Sequence, residues 1–323
     1  MRSLREIFAG DPNVRVCPPE SSRESDFNAI SQDDIIPPED AEIVEGLTFE
    51  LYDVPPTGES GFTHFLDGAQ RHWRAGYIGL FPFRMAHTSA ALLEREARAV
   101  KAPDQDSYLG SLEFFAPADL GGAIPKLAEL AFVQTVAATD EESPLAVQLK
   151  IIKKIEDRRK EHELALASKF GDGKLLIDGG IGEVMRLLNG PFIVGLVKSH
   201  QRQYFRSADR RLAILQMRAG QRSSVFRRPA TQKQGKDAYS FYLKCRDSAA
   251  QAPTFGLARI EMPATDEYLE KADSIAGWIL HERCPMSLPD PRYHVLPYPI
   301  HLVERHLKAR QPSDAAIRGK IGL

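Results

Sequence analysis

Residues 173–182 read GKLLIDGGIG, and residues 62–69 read FTHFLDGA. Each is a short apolar run that closes on Asp-Gly, at Asp178 in the first and at Asp67 in the second. Such a run reads as a buried strand, and a strand ending in Asp sets its carboxylate at a sheet edge, where several strand ends can converge. Asp-Gly is also a turn dipeptide, so either occurrence alone reads more readily as a turn. Taken together they raise a second reading. Hard divalent cations such as Mg²⁺ and Mn²⁺ take oxygen ligands, and two or three carboxylates around an open position are a common means of activating water against a phosphodiester.

Outward from these two stretches, LTFELYDV (47–54) and FTHFL read as strands, and 76–92 reads as a long strand or hairpin partner. PKLAELAFVQTVAA (125–138) predicts a helix, and Ser143-Pro144 starts a second one that runs to about residue 170. KLLID and PFIVGLVKSH (191–200) are strands, as are SFYLKC (240–245) and TFGLARIEM (254–262). TDEYLEKADSIAGWILHER is a capped helix, and a last helix begins at YPIHLVERHLKAR (298–310). Strands early, helices between them and helices at the end predict one α/β domain around a central mixed sheet over residues 47–323. Residues 1–46, rich in Pro, Ser, Asp and Glu, predict an acidic, loop-rich N-terminal arm in front of it.

The chain has 323 residues, 43% of them hydrophobic, and a net charge of −2 that conceals an asymmetry. Residues 1–60 carry 14 Asp/Glu against 4 Lys/Arg, whereas residues 198–236 carry 11 Lys/Arg against the single Asp209. The basic block, with Lys198, Arg202, Arg206, Arg222, Arg227 and Arg228, reads as the contact surface for a polyanion such as DNA, or more plainly as a solvated surface. Three widely spaced cysteines without a Cys-x-x-Cys pair suggest a reducing cytoplasm. The absence of a long apolar run predicts a soluble protein that makes no use of a membrane. No phosphate-binding loop is present, since GDGK (171–174) is too short and lacks the following hydroxyl. The G-x-S-x-G and H-E-x-x-H patterns are missing too.

A third carboxylate is expected from the helix before Asp178, where Glu161 and Glu163 compete. Glu163 shares a helical face with Ile152 and Leu166, whereas Glu161 lies roughly opposite, so periodicity favours burial of Glu163 without saying which would bind metal. On the last helix Tyr298 and His306 stand about two turns apart on adjoining faces, with His301 a competitor.

The segments FLDGAQRHWRAGYIGLFPFRMA (65–86), EHELALASKFGDGKLLIDGGIG (161–182), GLVKSH (195–200) and LPYPIHLVERH (296–306) are similar, in order and approximate spacing, to those of the NurA nuclease family. The resemblance spans about residues 47–310. It implies an RNase H-like fold, a homodimer, Mn²⁺- or Mg²⁺-dependent cleavage of DNA, and a HerA-type hexameric ATPase as partner. Carried over residue by residue, it implies Asp67, Glu161 and Asp178 as metal-site carboxylates, with Tyr298 and His306 completing the catalytic site and His306 a further metal ligand. Glu161 is preferred for its distance to Asp178 and the Leu-Ala-Leu that follows. The chain departs from the family in having Asp-Gly-Ala and Asp-Gly-Gly where Asp-Gly-Ser is frequent. It also has His301 where a second proline is frequent.

The reading that follows is a metal-dependent deoxyribonuclease acting on DNA ends or single strands, in end processing or in defence against foreign DNA. Its rivals are a non-catalytic DNA-binding scaffold subunit of such an ATPase complex and a nuclease acting on RNA. The stretch with Asp33, Asp34, Glu39 and Asp40 beside Ile35 and Ile36 is a candidate docking segment for the ATPase ring, or a solubilising tail.

Overall fold

The computed structural model describes residues 2–22, 40–118, 122–139, 141–186, 192–199, 203–230, 236–248 and 251–322. Helix α1 (Leu4–Ile7) opens with a reciprocal cap: the Ser3 hydroxyl accepts from the Glu6 amide and the Glu6 carboxylate accepts from the Ser3 amide. Strand β1 (Val14–Ser22) follows. The loop-rich arm expected over residues 1–46 is therefore corrected at its start, where Leu4 and Phe8 are core residues packed with Trp73, Ile317 and Ile321. Asp33, Asp34, Ile35, Ile36 and Glu39 lie outside the described residues. Asp40 is tied down, accepting from the amides of Arg206 and Ser207.

A short β2 (Leu51–Asp53) precedes the long hairpin of β3 (His64–Ile78) and β4 (Phe81–Glu96). Gly79, at φ 58°, supplies the left-handed backbone that a two-residue hairpin turn needs at its first position. β5 (Ala99–Lys101), β6 (Tyr108–Pro117), α2 (Ala123–Ala128) and β7 (Val133–Val136) come next. The helix expected over 125–138 is thus only its first turns, and the β-branched VQTV that follows pairs with β6 instead. α3 (Pro144–Ala167) starts as its sequence predicts, with the Ser143 hydroxyl accepting from the Ala146 amide and Pro144 at the first position.

β8 (Lys174–Asp178), β9 (Phe192–Val197), α4 (Ala208–Leu215), β10 (Gln221–Ser223), β11 (Phe226–Arg228), β12 (Ala238–Lys244) and β13 (Leu257–Pro263) complete the strands. α5 (Asp266–Glu270), α6 (Ala272–His281), α7 (Tyr298–Arg310) and α8 (Asp314–Ile321) end the chain. The strands form one mixed sheet in the order β2-β10-β12-β13-β9-β8-β3-β4-β6-β7, with β1 on β3, β11 on β12 and β5 on β4. The β3/β8, β8/β9 and β6/β7 pairs are parallel. Helices cover both faces. On one, Phe65, Ala91 and Leu93 pack with Ile300, Val303 and Leu307 of α7. On the other, Leu66, Ala90 and Leu92 pack with Leu166 and Ala167 of α3. No helix among the described residues is long and apolar enough to cross a membrane.

Candidate metal centre

The two Asp-Gly stretches come side by side because their strands are parallel neighbours. His64, Phe65 and Leu66 of β3 pair with Leu175, Leu176 and Ile177 of β8, so the next register step sets Asp67 beside Asp178. The strands then behave differently. β8 stops at Asp178, and Gly179, at φ 116°, turns the chain away. β3 continues through Asp67, which is mid-strand and not at a strand end or turn as its sequence suggested. β1 takes the vacated side of β3 only from His72 onward. Between these two pairings a notch opens, and residues 67–71 line a cleft of about 700 Å³ whose walls also carry Arg159, Asp178, Lys198, Arg292, Glu304, Lys308 and Gln311.

Glu304 is the third carboxylate of the cluster. It sits in the apolar stripe of α7 with Ile300, Val303 and Leu307, and one carboxylate oxygen each from Asp67, Asp178 and Glu304 lie within 4.8 Å of one another. Arg292 donates to Glu304 at 2.8 and 2.6 Å and also binds Asp290, whose carboxyl it holds down at about 2. Lys198, just past β9, places its ammonium 2.5 Å from Asp178 and 3.8 Å from Glu304. Burial above all, and then the Asp178 carboxylate, push Asp67 well above the usual carboxylate range, with Lys198 acting against them. Burial works to lower the Lys198 ammonium, but Asp178 and Asp67 outweigh it and hold it above its usual value.

The helix carboxylates are placed opposite to what the family resemblance implies and as the helical periodicity suggests. Glu161 is exposed and paired with Arg158 at 2.8 Å. Glu163 instead points at the strand, where its carboxylate fills the space that a Cβ on Gly68 would need. Glu163 is paired with Arg159 and adds its negative charge to the surroundings of Asp67. The reason is periodic. α3 buries Ile155, His162 and Leu166, and Glu163 falls on that side while Glu161 does not.

The last helix is corrected in the same way. His306, two residues beyond Glu304 and so about 200° around the helix, faces Tyr108, with ring centroids 6.4 Å apart. Its Nε2 is buried with no hydrogen-bond partner among the described residues. Tyr298 is 41% exposed at the helix start, stacked on His301, and belongs to neither the carboxylate cluster nor the cleft lining. His301 does approach Glu304, in a second grouping with Asp290.

Part of the basic block is internal. Arg222 is buried and paired with Glu45 and Asp273; Arg228 is buried beside Glu261; and Arg227 pairs with Glu42 and Asp237. Arg222 and Arg228 are buried structural cations, which corrects their reading as a polyanion surface, while Arg227 is part exposed and held in surface ion pairs. Arg206 is exposed near Asp40, Arg202 lies outside the described residues, and Lys198 belongs to the centre itself. The cations that do face the cleft are Arg71, Arg159, Arg292 and Lys308. Arg71 is held by Asp314 of α8 at 2.9 Å and stacks over Trp73.

The donor set fits a hard divalent cation. It is all oxygen, clustered within 4.8 Å, and open to a cleft on one side. No protein-family model matches the chain, and no curated protein matches it in sequence. In structure it is similar to the crystal structure of the NurA nuclease from Sulfolobus solfataricus, with a TM-score of 0.46 and 10% identity over 79% of this chain and 81% of that one.

Proposed function

We propose that the protein is a divalent-metal-dependent nuclease that hydrolyses phosphodiester bonds of DNA. The observation that carries this reading is the cluster of Asp67, Asp178 and Glu304 at a notch in the sheet, in a cleft walled by Arg71, Arg159, Arg292 and Lys308. Three carboxylates alone would repel a polyanionic chain. A cation among them and guanidinium groups around them make the same cleft attractive to one. Asp67, Asp178 and Glu304 would hold the ion, Mn²⁺ or Mg²⁺, which supplies Lewis-acid polarisation and a water acidic enough to react near neutral pH. Arg71 and Lys308 would bind flanking phosphates. Arg292, bidentate on Glu304, orients that ligand. Glu163, reaching Gly68 from the opposite face, adds negative charge that favours the cation.

The sequence resemblance extends the proposal to an RNase H-like fold, a homodimer and a HerA-type ATPase that would drive DNA into the cleft. The chain's lack of a phosphate-binding loop is in keeping with a separate motor. The test is cleavage of end-labelled single- and double-stranded DNA, and of RNA, by the purified chain with Mn²⁺, Mg²⁺ or EDTA, beside Asp178→Asn. Metal-dependent DNA cleavage lost in the variant supports the reading. DNA binding without cleavage by the wild-type protein would favour a scaffold subunit, and preference for RNA would change the substrate.

A further inference from the structure

The ammonium of Lys198 stands against two of the three carboxylates that a cation would share. It lies 2.5 Å from Asp178 and 3.8 Å from Glu304, and its charge acts on Asp67, the remaining member of the cluster. The three carboxylates are mostly buried, and their ligand atoms crowd within 4.8 Å. Such a cluster is destabilised by its own repulsion unless a positive charge lies against it. Lys198 supplies one through a flexible four-carbon stem anchored just past the last residue of β9, and its side chain also borders the cleft.

We infer that Lys198 is a placeholder cation: it neutralises the carboxylates in the metal-free protein, and an entering divalent ion displaces it into the cleft, where its charge faces a substrate phosphate. The inference rests on the proposed metal-dependent reading. An ammonium and a divalent ion cannot both sit against the oxygens of Asp178 and Glu304, because like charges at that separation repel strongly. Binding of the metal and retention of the Lys198–Asp178 pair therefore compete. A lysine that served only to brace β9, or only to touch phosphate, would not compete with metal at all.

The experiment titrates Mn²⁺, without DNA, into the full-length wild-type protein and the Lys198→Met variant at about pH 8, by calorimetry and by the EPR signal of free Mn²⁺. Thermal melts with and without Mn²⁺ accompany it. Lys198→Met is expected to bind Mn²⁺ at least about tenfold more tightly, since the competing charge is gone. It is also expected to melt lower than wild type when metal-free and to gain more from added Mn²⁺. Lys198→Gln replaces it if the methionine variant is unfolded even with Mn²⁺. Lys198→Arg, which keeps a competing charge, is expected to bind no more tightly than wild type. Equal or weaker Mn²⁺ binding by the neutral variants, with measurable binding by wild type, overturns the placeholder role and leaves the metal site standing. Absence of Mn²⁺ binding in wild type and variants alike overturns the metal-dependent reading itself.

Discussion

Replacing Glu304 by Gln keeps the side-chain length and removes one charge, and the structure separates its effect on folding from its effect on metal. Folding feels opposed contributions. The ionised Glu304 attracts Lys198 at 3.8 Å, about 4 kcal/mol at an effective dielectric of 20, and its bond to the partly exposed Arg292 adds about 2 kcal/mol. Against this, repulsion from Asp67 and Asp178, with ligand atoms inside 4.8 Å, costs at least about 3.5 kcal/mol for each ionised pair. With Asp67 and Asp178 both ionised the two nearly cancel, and with Asp178 alone ionised the attraction exceeds the repulsion by about 2.5 kcal/mol, so stability in urea unfolding should fall by no more than about 2–3 kcal/mol. A divalent cation has no such compensation. Loss of a supporting group typically costs 10–100-fold in metal affinity, and loss of one of three anionic ligands should exceed about 100-fold. The assay pairs urea unfolding with Mn²⁺ calorimetry and cleavage of a labelled oligonucleotide, with His306→Ala as the control expected to keep both binding and cleavage. A Glu304→Gln protein with wild-type Mn²⁺ affinity, or a His306→Ala protein that loses it, would refute the assignment of the third carboxylate.

Asp67→Asn and Asp178→Asn should each abolish cleavage while the far-ultraviolet spectrum stays that of wild type; full activity in either would exclude the centre. Glu163→Gln should lower cleavage and Mn²⁺ affinity more than Glu161→Gln, because only Glu163 reaches Gly68, and equal effects on both would show that the approach is incidental. The buried Glu261 accepts from the Ile181 amide just past the Asp178 turn and pairs with Arg259 and Arg228. Burial tends to raise its carboxyl, but Arg259 and then Arg228 outweigh it and hold it below the usual range. A lowered native value contributes stability that is present above the unfolded value of about 4.3 and lost as pH falls through the native one. Glu261→Gln should therefore be less stable at pH 7 and show a shallower loss of stability below about pH 4 in urea titrations. An unchanged acid slope would remove Glu261 from that linkage.

Sequence reading located the two aspartates because a short apolar run closing on Asp-Gly is a local signal, and a parallel register then brings such runs together. The other expected catalytic residues fall away from the carboxylate cluster, where orientation decides. Ile300, Val303, Glu304 and Leu307 form an i, i+3, i+4, i+7 stripe, and an acid inside such a stripe was the available sign that Glu304 points inward. The family resemblance points to His306 instead. For α3 the same periodic argument favours burial of Glu163, and it is the family resemblance, by distance to Asp178 and the Leu-Ala-Leu that follows, that implies Glu161. The arginines of residues 222–228 were illegible for another reason. Their partners Glu45, Asp273, Glu42, Asp237 and Glu261 are scattered along the chain, so a local count of charge sees cations without the anions that neutralise them.

The interruption beside β3 has a metric consequence. Side chains of successive strand residues alternate between faces, so a cavity on one face touches every second residue. Here five consecutive residues, 67–71, border the same cleft, and among the described residues no strand pairs with them on that side. The cleft therefore looks at the strand edge-on, along a straight rim of about 13 Å between the first and last of these residues at ~3.3 Å per residue. A rim is a ruler. It sets Asp67 at one end and Arg71 at the other, so that on the proposed reading a strand laid along it would be gripped about four residues' length from the carboxylate cluster.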